Sequence, residues 1–124
     1  MESITEIIQR LQEYYEAFHL KNWEKFAYYL SDSFKYFTDG TLIMNKNEFI
    51  EFLKKDIWQP EEYSINDVKI HLSENGDMAV AAYKTSFTGI SDNNKMTVKA
   101  IETTIFVKEK GSWKIIHSHT SNKV

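Results

Sequence analysis

Apolar residues recur at three- and four-residue steps through SITEIIQRLQEYYEAFHL, where Ile4, Ile7, Ile8, Leu11, Tyr14, Tyr15 and Phe18 share one stripe. That spacing predicts an amphipathic helix. Ser3 with Glu6 has the form of a capping box at its start, each side chain satisfying a backbone N–H. Asn22 predicts the cap of a second, short helix carrying Trp23, Phe26, Ala27 and Leu30. Asn45 with Glu48 repeats the capping pattern ahead of a third helix, which presents Phe49, Ile50, Leu53 and Ile57 before Pro60 prevents its continuation. Between the second and third helices, SFKYFTDGTLIM reads as a short strand, a turn at Asp39-Gly40 and a second extended piece.

After Pro60 the period changes to two. YSINDVKIHL is a strand with Val68, Ile70 and Leu72 on one side, and Asn75-Gly76 supplies what a tight hairpin turn asks for. MAVAAYKTSFTGI follows as a long strand, SDNNK as a loop and MTVKAIETTIFVKEK as another strand; Gly111 then turns into SWKIIHSHTS. Helices first and antiparallel strands afterwards predict an α+β fold with the helices gathered on one face of the sheet. In the penultimate strand Val98, Ala100, Glu102, Thr104 and Phe106 make one face, and Ile101, Ile105 and Val107 the other. Both faces are partly apolar, unlike a strand with one wetted side. Three modest helices cover only one of them. A second copy of the same sheet is the simplest cover for the other, which predicts a homodimer through the outer face.

Composition narrows the function classes. A chain of 124 residues is read as one domain spanning residues 1–124, large enough to bury a core, and aromatics at 15% allow that core or a pocket to be built from rings. A net charge of -3 and no Lys/Arg-rich run leave no electrostatic footprint for nucleic acid. The absence of cysteine excludes disulfides, thiolate catalysis and cysteine zinc sites. MESITEIIQR is acidic and amphipathic, without the basic start and apolar stretch of a signal peptide, and no apolar run approaches the ~18 residues of a membrane span. A soluble cytoplasmic protein that does not engage membranes is expected.

Little else in the chain looks like chemistry except the histidines. Alternation puts His117 and His119 on one side of the last strand, with Trp113, Ile115 and Ser121. Two imidazoles there suit one metal only if a third ligand joins them. His71 and Glu102 are the available extras, but Glu102 belongs to the opposite set of its own strand. Hydrogen-bonded histidines on a largely apolar face are the alternative, and no metal or other cofactor is expected. His19, ending the first helix, is expected to meet that helix's C-terminal carbonyls.

The run ETTIFVKEKGSWKIIHSHTS, residues 102–121, resembles the end of SnoaL-like proteins and of the calcium/calmodulin-dependent protein kinase II association domain, both in the nuclear-transport-factor-2-like superfamily. The resemblance rests on Glu-Thr, an aromatic at Phe106, Gly-x-Trp at Gly111 and Trp113, and His-x-His-x-Ser at His117, His119 and Ser121. KIHLSENGDMAVAAY and FHLKNWEKFAYYLSDSF are similar to the family's preceding hairpin and helical entry. It implies a cone-shaped, strongly curved antiparallel sheet with N-terminal helices closing a pocket, usually dimerised through the outside of the sheet. His117 and His119 then face outward, and the pocket sees Glu102, Thr104, Ile116, Ser118 and Thr120.

The superfamily's ketosteroid-isomerase-like enzymes use an aspartate base with a tyrosine and a protonated aspartate at the oxyanion. Laid on that pattern, the tyrosine falls at Tyr14, the base at Thr38, and the oxyanion acid near Glu102. Threonine accepts no proton near neutral pH; Asp39 is adjacent, but on the other face unless a bulge intervenes. Where the kinase-type domain gathers arginines, this chain has Thr85, Thr104 and Thr120, with Lys84 beside the first. The implied cavity is aromatic and hydroxyl-lined: Tyr14, Tyr36, Thr38, Trp58, Thr85, Phe87, Glu102, Thr104, Phe106 and Thr120. It suits a small apolar or mixed-polarity molecule. Two readings follow. One is a non-catalytic ligand-binding and assembly domain; the other is a SnoaL-like enzyme of isomerase, cyclase or hydrolase type, doing acid/base chemistry with Glu102, Tyr14 and Asp39.

Overall fold

The computed structural model describes residues 2–38, 42–56 and 58–122. Along the chain run α1 (Glu2–His19), α2 (Trp23–Tyr28), β1 (Leu30–Thr38), β2 (Leu42–Asn45), α3 (Lys46–Lys54), β3 (Gln59–Leu72), β4 (Met78–Ser91), β5 (Asn94–Glu109) and β6 (Ser112–Asn122). The α1 stripe buries Ile7, Leu11, Tyr14 and Tyr15 against the sheet. Ser3 lies inside α1, which has begun by Glu2, so Ser3 is not its cap. Asn22 does cap α2, its side chain accepting from the Lys25 N–H, and Leu30 falls beyond that helix at the start of β1. Asn45 and Glu48 form a reciprocal capping box on α3, both bonds 2.9 Å long. The predicted Asp39-Gly40 turn and Ile57 lie outside the described residues.

The strands form one sheet in the order β2-β1-β6-β5-β4-β3, with both edges open. Every junction is antiparallel except β1–β6, which is parallel, so the expected antiparallel sheet is a mixed one. All three helices pack on one face, which makes the fold α+β.

Turn chemistry departs from expectation in one place. The two-residue hairpins are Asp92-Asn93 (φ 50 and 65) and Lys110-Gly111 (φ 51 and 83), whose left-handed backbone matches the twist of the flanking strands. Asn75-Gly76 instead sits in a wider connection over residues 73–77, where Ser73 N–H donates to the Met78 carbonyl (2.8 Å) and the Ser73 hydroxyl accepts from Met78 N–H (3.1 Å). Gly76 still takes the positive φ, +72.

Two bulges re-aim side chains. In β3 the register slips between Asn66 and Lys69, with Asp67 at φ 55. Tyr63 and Ile65 before the slip, and Val68, Ile70 and Leu72 after it, therefore all pack on the same core. In β6 Phe106 pairs with Ile115 but Ile105 pairs with His117, leaving Ile116 as the extra residue. Trp113 and Ile115 are thereby turned into the core, on the face opposite His117, His119 and Ser121, and simple alternation fails there.

Candidate functional site

A cavity of about 250 Å³ separates the helices from the inner face of the sheet. Tyr14, Tyr15 and Phe18 of α1 and Phe26 of α2 form one wall; Phe49 and Leu53 of α3 and Tyr36 of β1 form another. The sheet contributes Thr85, Phe87, Val98, Ala100, Glu102, Ser118, Thr120 and Asn122, and the segment before β3 adds Asp56 and Trp58. The rings support one another: Tyr14 stacks on Phe26 at 4.6 Å between centroids, Tyr36 on Phe49 at 4.4 Å, and Phe18 meets Phe87 edge-on at 5.6 Å. Trp58 is pinned at its backbone. Its N–H donates to Asp56 Oδ1 (3.0 Å), and its carbonyl accepts from Lys21 Nζ (2.9 Å). Its indole lies against Gly89 of β4, where a Cβ would come within 2.5 Å of the ring.

Glu102 is the chemical centre of this cavity. Tyr15 Oη (2.8 Å) and Thr120 Oγ1 (3.1 Å) both donate to its Oε1, and the Thr85 hydroxyl is a third hydrogen-bond partner. Tyr15 Oη also meets Tyr83 Oη at 2.7 Å, Tyr83 meets Thr104 Oγ1 at 2.7 Å, and Thr104 reaches Ser118 Oγ at 3.4 Å. A chain of hydroxyls thus runs from α1 across β4 and β5 to β6, and among the described residues no cation pairs with the carboxyl. Burial raises the Glu102 carboxyl above its ordinary value, against hydrogen bonds from Tyr15, Thr85 and Thr120 that pull it down. Burial likewise raises the Tyr14 and Tyr15 phenols, and the neighbouring carboxyl adds to the shift.

Of the residues expected around a pocket, Tyr14, Tyr36, Trp58, Thr85, Phe87, Glu102 and Thr120 stand on this wall. Thr104 and Phe106 do not: both are sealed in the core, Thr104 because its hydroxyl is drawn to Tyr83 beneath the wall. Thr38 is also off the wall, its hydroxyl donating to the Thr120 carbonyl (3.3 Å). Asp39 lies outside the described residues. Of the last strand's expected set, Ser118 and Thr120 stand on the wall, and Ile116, the bulge residue, does not.

The tyrosine that binds Glu102 is Tyr15, where the sequence pointed to Tyr14. The Tyr14 hydroxyl makes no hydrogen bond among the described residues. Tyr15 lay on the same helical stripe and was legible as core; its role needed the position of Glu102. Tyr83 was missed altogether, its only signal being alternation with Thr85 and Phe87 along β4.

Lys84 points away from the cavity and pairs with Asp67 (3.3 Å), so it does not stand in for a missing arginine. A larger open groove of about 680 Å³ crosses the outer face between Lys84, Lys99, Ile101 and Ser121, with no buried titratable group on its wall. On that face His117 stacks on Phe37 at 4.8 Å, and burial with the nearby His119 lowers its pKa. Among the described residues no cluster of three metal-ligating side chains occurs. His19 packs on Tyr63 at 5.0 Å, and its Nδ1 is buried without a hydrogen bond, so the expected carbonyl contact is not made through that atom.

The model of the SnoaL-like domain matches residues 7–124. No curated protein matches the chain. Among solved structures, the calcium/calmodulin-dependent protein kinase II hub homology domain of Chlamydomonas reinhardtii superposes with a TM-score of 0.84 at 21% identity, covering 100% of both chains. A ketosteroid isomerase-like protein from Erwinia carotovora atroseptica gives 0.82 at 18% identity, over 99% of this chain and 98% of that one. A nuclear-transport-factor-2-like protein from Cytophaga hutchinsonii gives 0.83 at 14% identity, over 94% and 95%. At these identities the structures establish the fold.

Proposed function

Since the chain belongs to the SnoaL-like domain family, within the nuclear-transport-factor-2-like superfamily, we propose that it is a non-catalytic domain that binds a small organic molecule and assembles as a homodimer. The observation that carries the ligand reading is the aromatic cavity holding a buried carboxyl among hydroxyl donors, with no cation paired to it among the described residues. A few directed polar groups in an apolar wall are what orient a small ligand. Filling the space tests it. Ala100 lies on the wall, so Ala100→Leu should abolish the thermal stabilisation that small organic ligands confer on the wild type. Equal stabilisation of both proteins would count against the cavity.

Assembly is supported by the outer face. Ile43, beside the Phe37–His117 stack, and Ile101, farther along the same face, are 62% and 57% exposed there. The hub homology domain among the structural relatives points the same way. The expected hydrodynamic mass is twice 14.6 kDa, shifting toward the monomer on Ile101→Lys. A wild-type monomer at micromolar concentration would refute it.

A second reading, an enzyme doing acid/base chemistry, is favoured by one observation: Glu102 is held with a raised pKa beside Tyr15, as a general acid requires. The ketosteroid isomerase-like relative fits this reading. Its test is turnover of an enolisable or glycosidic substrate that Glu102→Gln removes. Against it stands Thr38, whose hydroxyl is already donated to a backbone carbonyl.

A further inference from the structure

Resting on the cavity-binding reading, we infer that the ligand is an organic cation, an amine attached to a small apolar body, whose ammonium group is received by Glu102. The charges on the wall give the first ground. Among the described residues, Glu102 and Asp56 are its ionisable carboxyls, and no lysine or arginine lines it. The ammonium of Lys21 is held on the Trp58 carbonyl, and Lys84 is paired on the other face. An anionic ligand entering here finds no cationic side chain on the wall among the described residues. A cation meets a carboxyl whose partners, Tyr15, Thr85 and Thr120, are all uncharged hydroxyls.

The rings give the second ground. Tyr14, Tyr36, Phe49, Phe87 and Trp58 stand around the same space, and the negative faces of aromatic rings attract a desolvated ammonium. Size gives the third. A cavity of about 150 Å³ holds one benzene ring, so one of about 250 Å³ holds roughly ten non-hydrogen atoms by the same proportion. That is the size of an arylalkylamine.

Protons then take part in binding. The groups facing Glu102 are Tyr15 from α1, Tyr83 and Thr85 from β4, and Thr120 from β6, with Tyr14 nearby; none carries positive charge at neutral pH. Burial raises the Glu102 carboxyl above its ordinary value, and an entering ammonium favours the carboxylate and so draws it back down. Whatever fraction of Glu102 is protonated then releases its proton to solvent: O–H breaks, the carboxylate keeps the pair, and the ion pair forms.

The test uses the intact protein and a matched triplet: 2-phenylethylamine, 2-phenylethanol and phenylacetate. Calorimetry should rank the amine first, with about tenfold weaker binding in Glu102→Gln, the loss of one charge-assisted hydrogen bond. The alcohol should respond to that change by less than about twofold. In wild type, amine binding should tighten as pH rises through the folded Glu102 value, with proton release below that value in buffers of different ionisation heat. Alcohol binding should do neither; this arm stands even if the variant folds poorly. The alcohol or phenylacetate binding as tightly as the amine would overturn the cation inference while leaving the cavity reading intact. Binding by none of the three up to millimolar concentration would overturn this inference, and if Ala100→Leu is also indistinguishable from wild type towards a wider set of small molecules, the cavity reading falls with it.

Discussion

Replacing Gly89 by alanine probes how Trp58 is held over the cavity. The new Cβ would sit 2.5 Å from the Gln59 carbonyl oxygen, and 2.5 and 2.6 Å from Cε2 and Cζ2 of Trp58. Carbon atoms rest about 3.5–4.0 Å apart, so each ring contact must open by roughly 1 Å. The indole alone can swing, but the Gln59 carbonyl is backbone, fixed by the pairing of Gln59 with Ile90. Relief therefore requires the start of β3 to move, and Trp58 is tied to Asp56 and Lys21 on either side of its peptide unit. Overpacking of this kind costs about 1–3 kcal/mol. At roughly 3–5 °C per kcal/mol for a chain of this length, a cost of about 2 kcal/mol lowers the melting temperature by about 6–10 °C. Trp58 emission, taken as the difference between each protein and its Trp58→Phe counterpart, should shift to the red as the ring is wetted. Ligand binding should weaken in parallel. A Gly89→Ala protein melting within about 1 °C of wild type, with unchanged Trp58 emission, would show that the indole does not rest on this glycine.

Glu102 makes stability depend on pH. Its carboxyl is raised above the ordinary value of 4.5, so between that value and the folded one the native state binds more protons than the unfolded chain. Stability from this group is therefore complete below about pH 4.5 and declines as pH rises to the folded value, with no further loss above it. Thermal melts should show that decline, and Glu102→Gln should flatten it; a variant with the wild-type slope would place the titrating group elsewhere. Tyr15→Phe removes the 2.8 Å donor to Glu102 and should lower stability in urea by about 1–2 kcal/mol. Because that bond is the foremost influence holding the carboxyl down, its pKa should rise further. Carbon-detected titration of labelled glutamate reads the change, and no movement would mean that the bond is not made.

Local chemistry was legible in the sequence. Asn22, the Asn45–Glu48 box and the α1 stripe work within a few residues, so their structures can be read without the rest of the chain. The resemblance of residues 102–121 supplied the curved sheet and the inward placement of Glu102, which alternation alone left undecided. What failed was longer in range. Whether Asp92-Asn93 or Asn75-Gly76 makes the tighter turn depends on the register of the flanking strands, which turn residues do not encode by themselves. The β6 bulge moves Ile116 off the wall because Phe106 pairs with Ile115, a partnership of strands rather than a property of either one. Tyr14 and Tyr15 are neighbours on one broad stripe. Only the location of Glu102, far along the chain, decides which hydroxyl reaches it.

The parallel seam between β1 and β6 has a consequence for how the molecule assembles. β3 to β6 are joined by short reversals and can zip up as successive neighbours, whereas β1 must wait for a partner dozens of positions downstream. Such distant closure is entropically slow. The meander is therefore the natural early scaffold, and the docking of β1 brings the helical lid with it. The hollow comes into being late, at the step that completes the sheet.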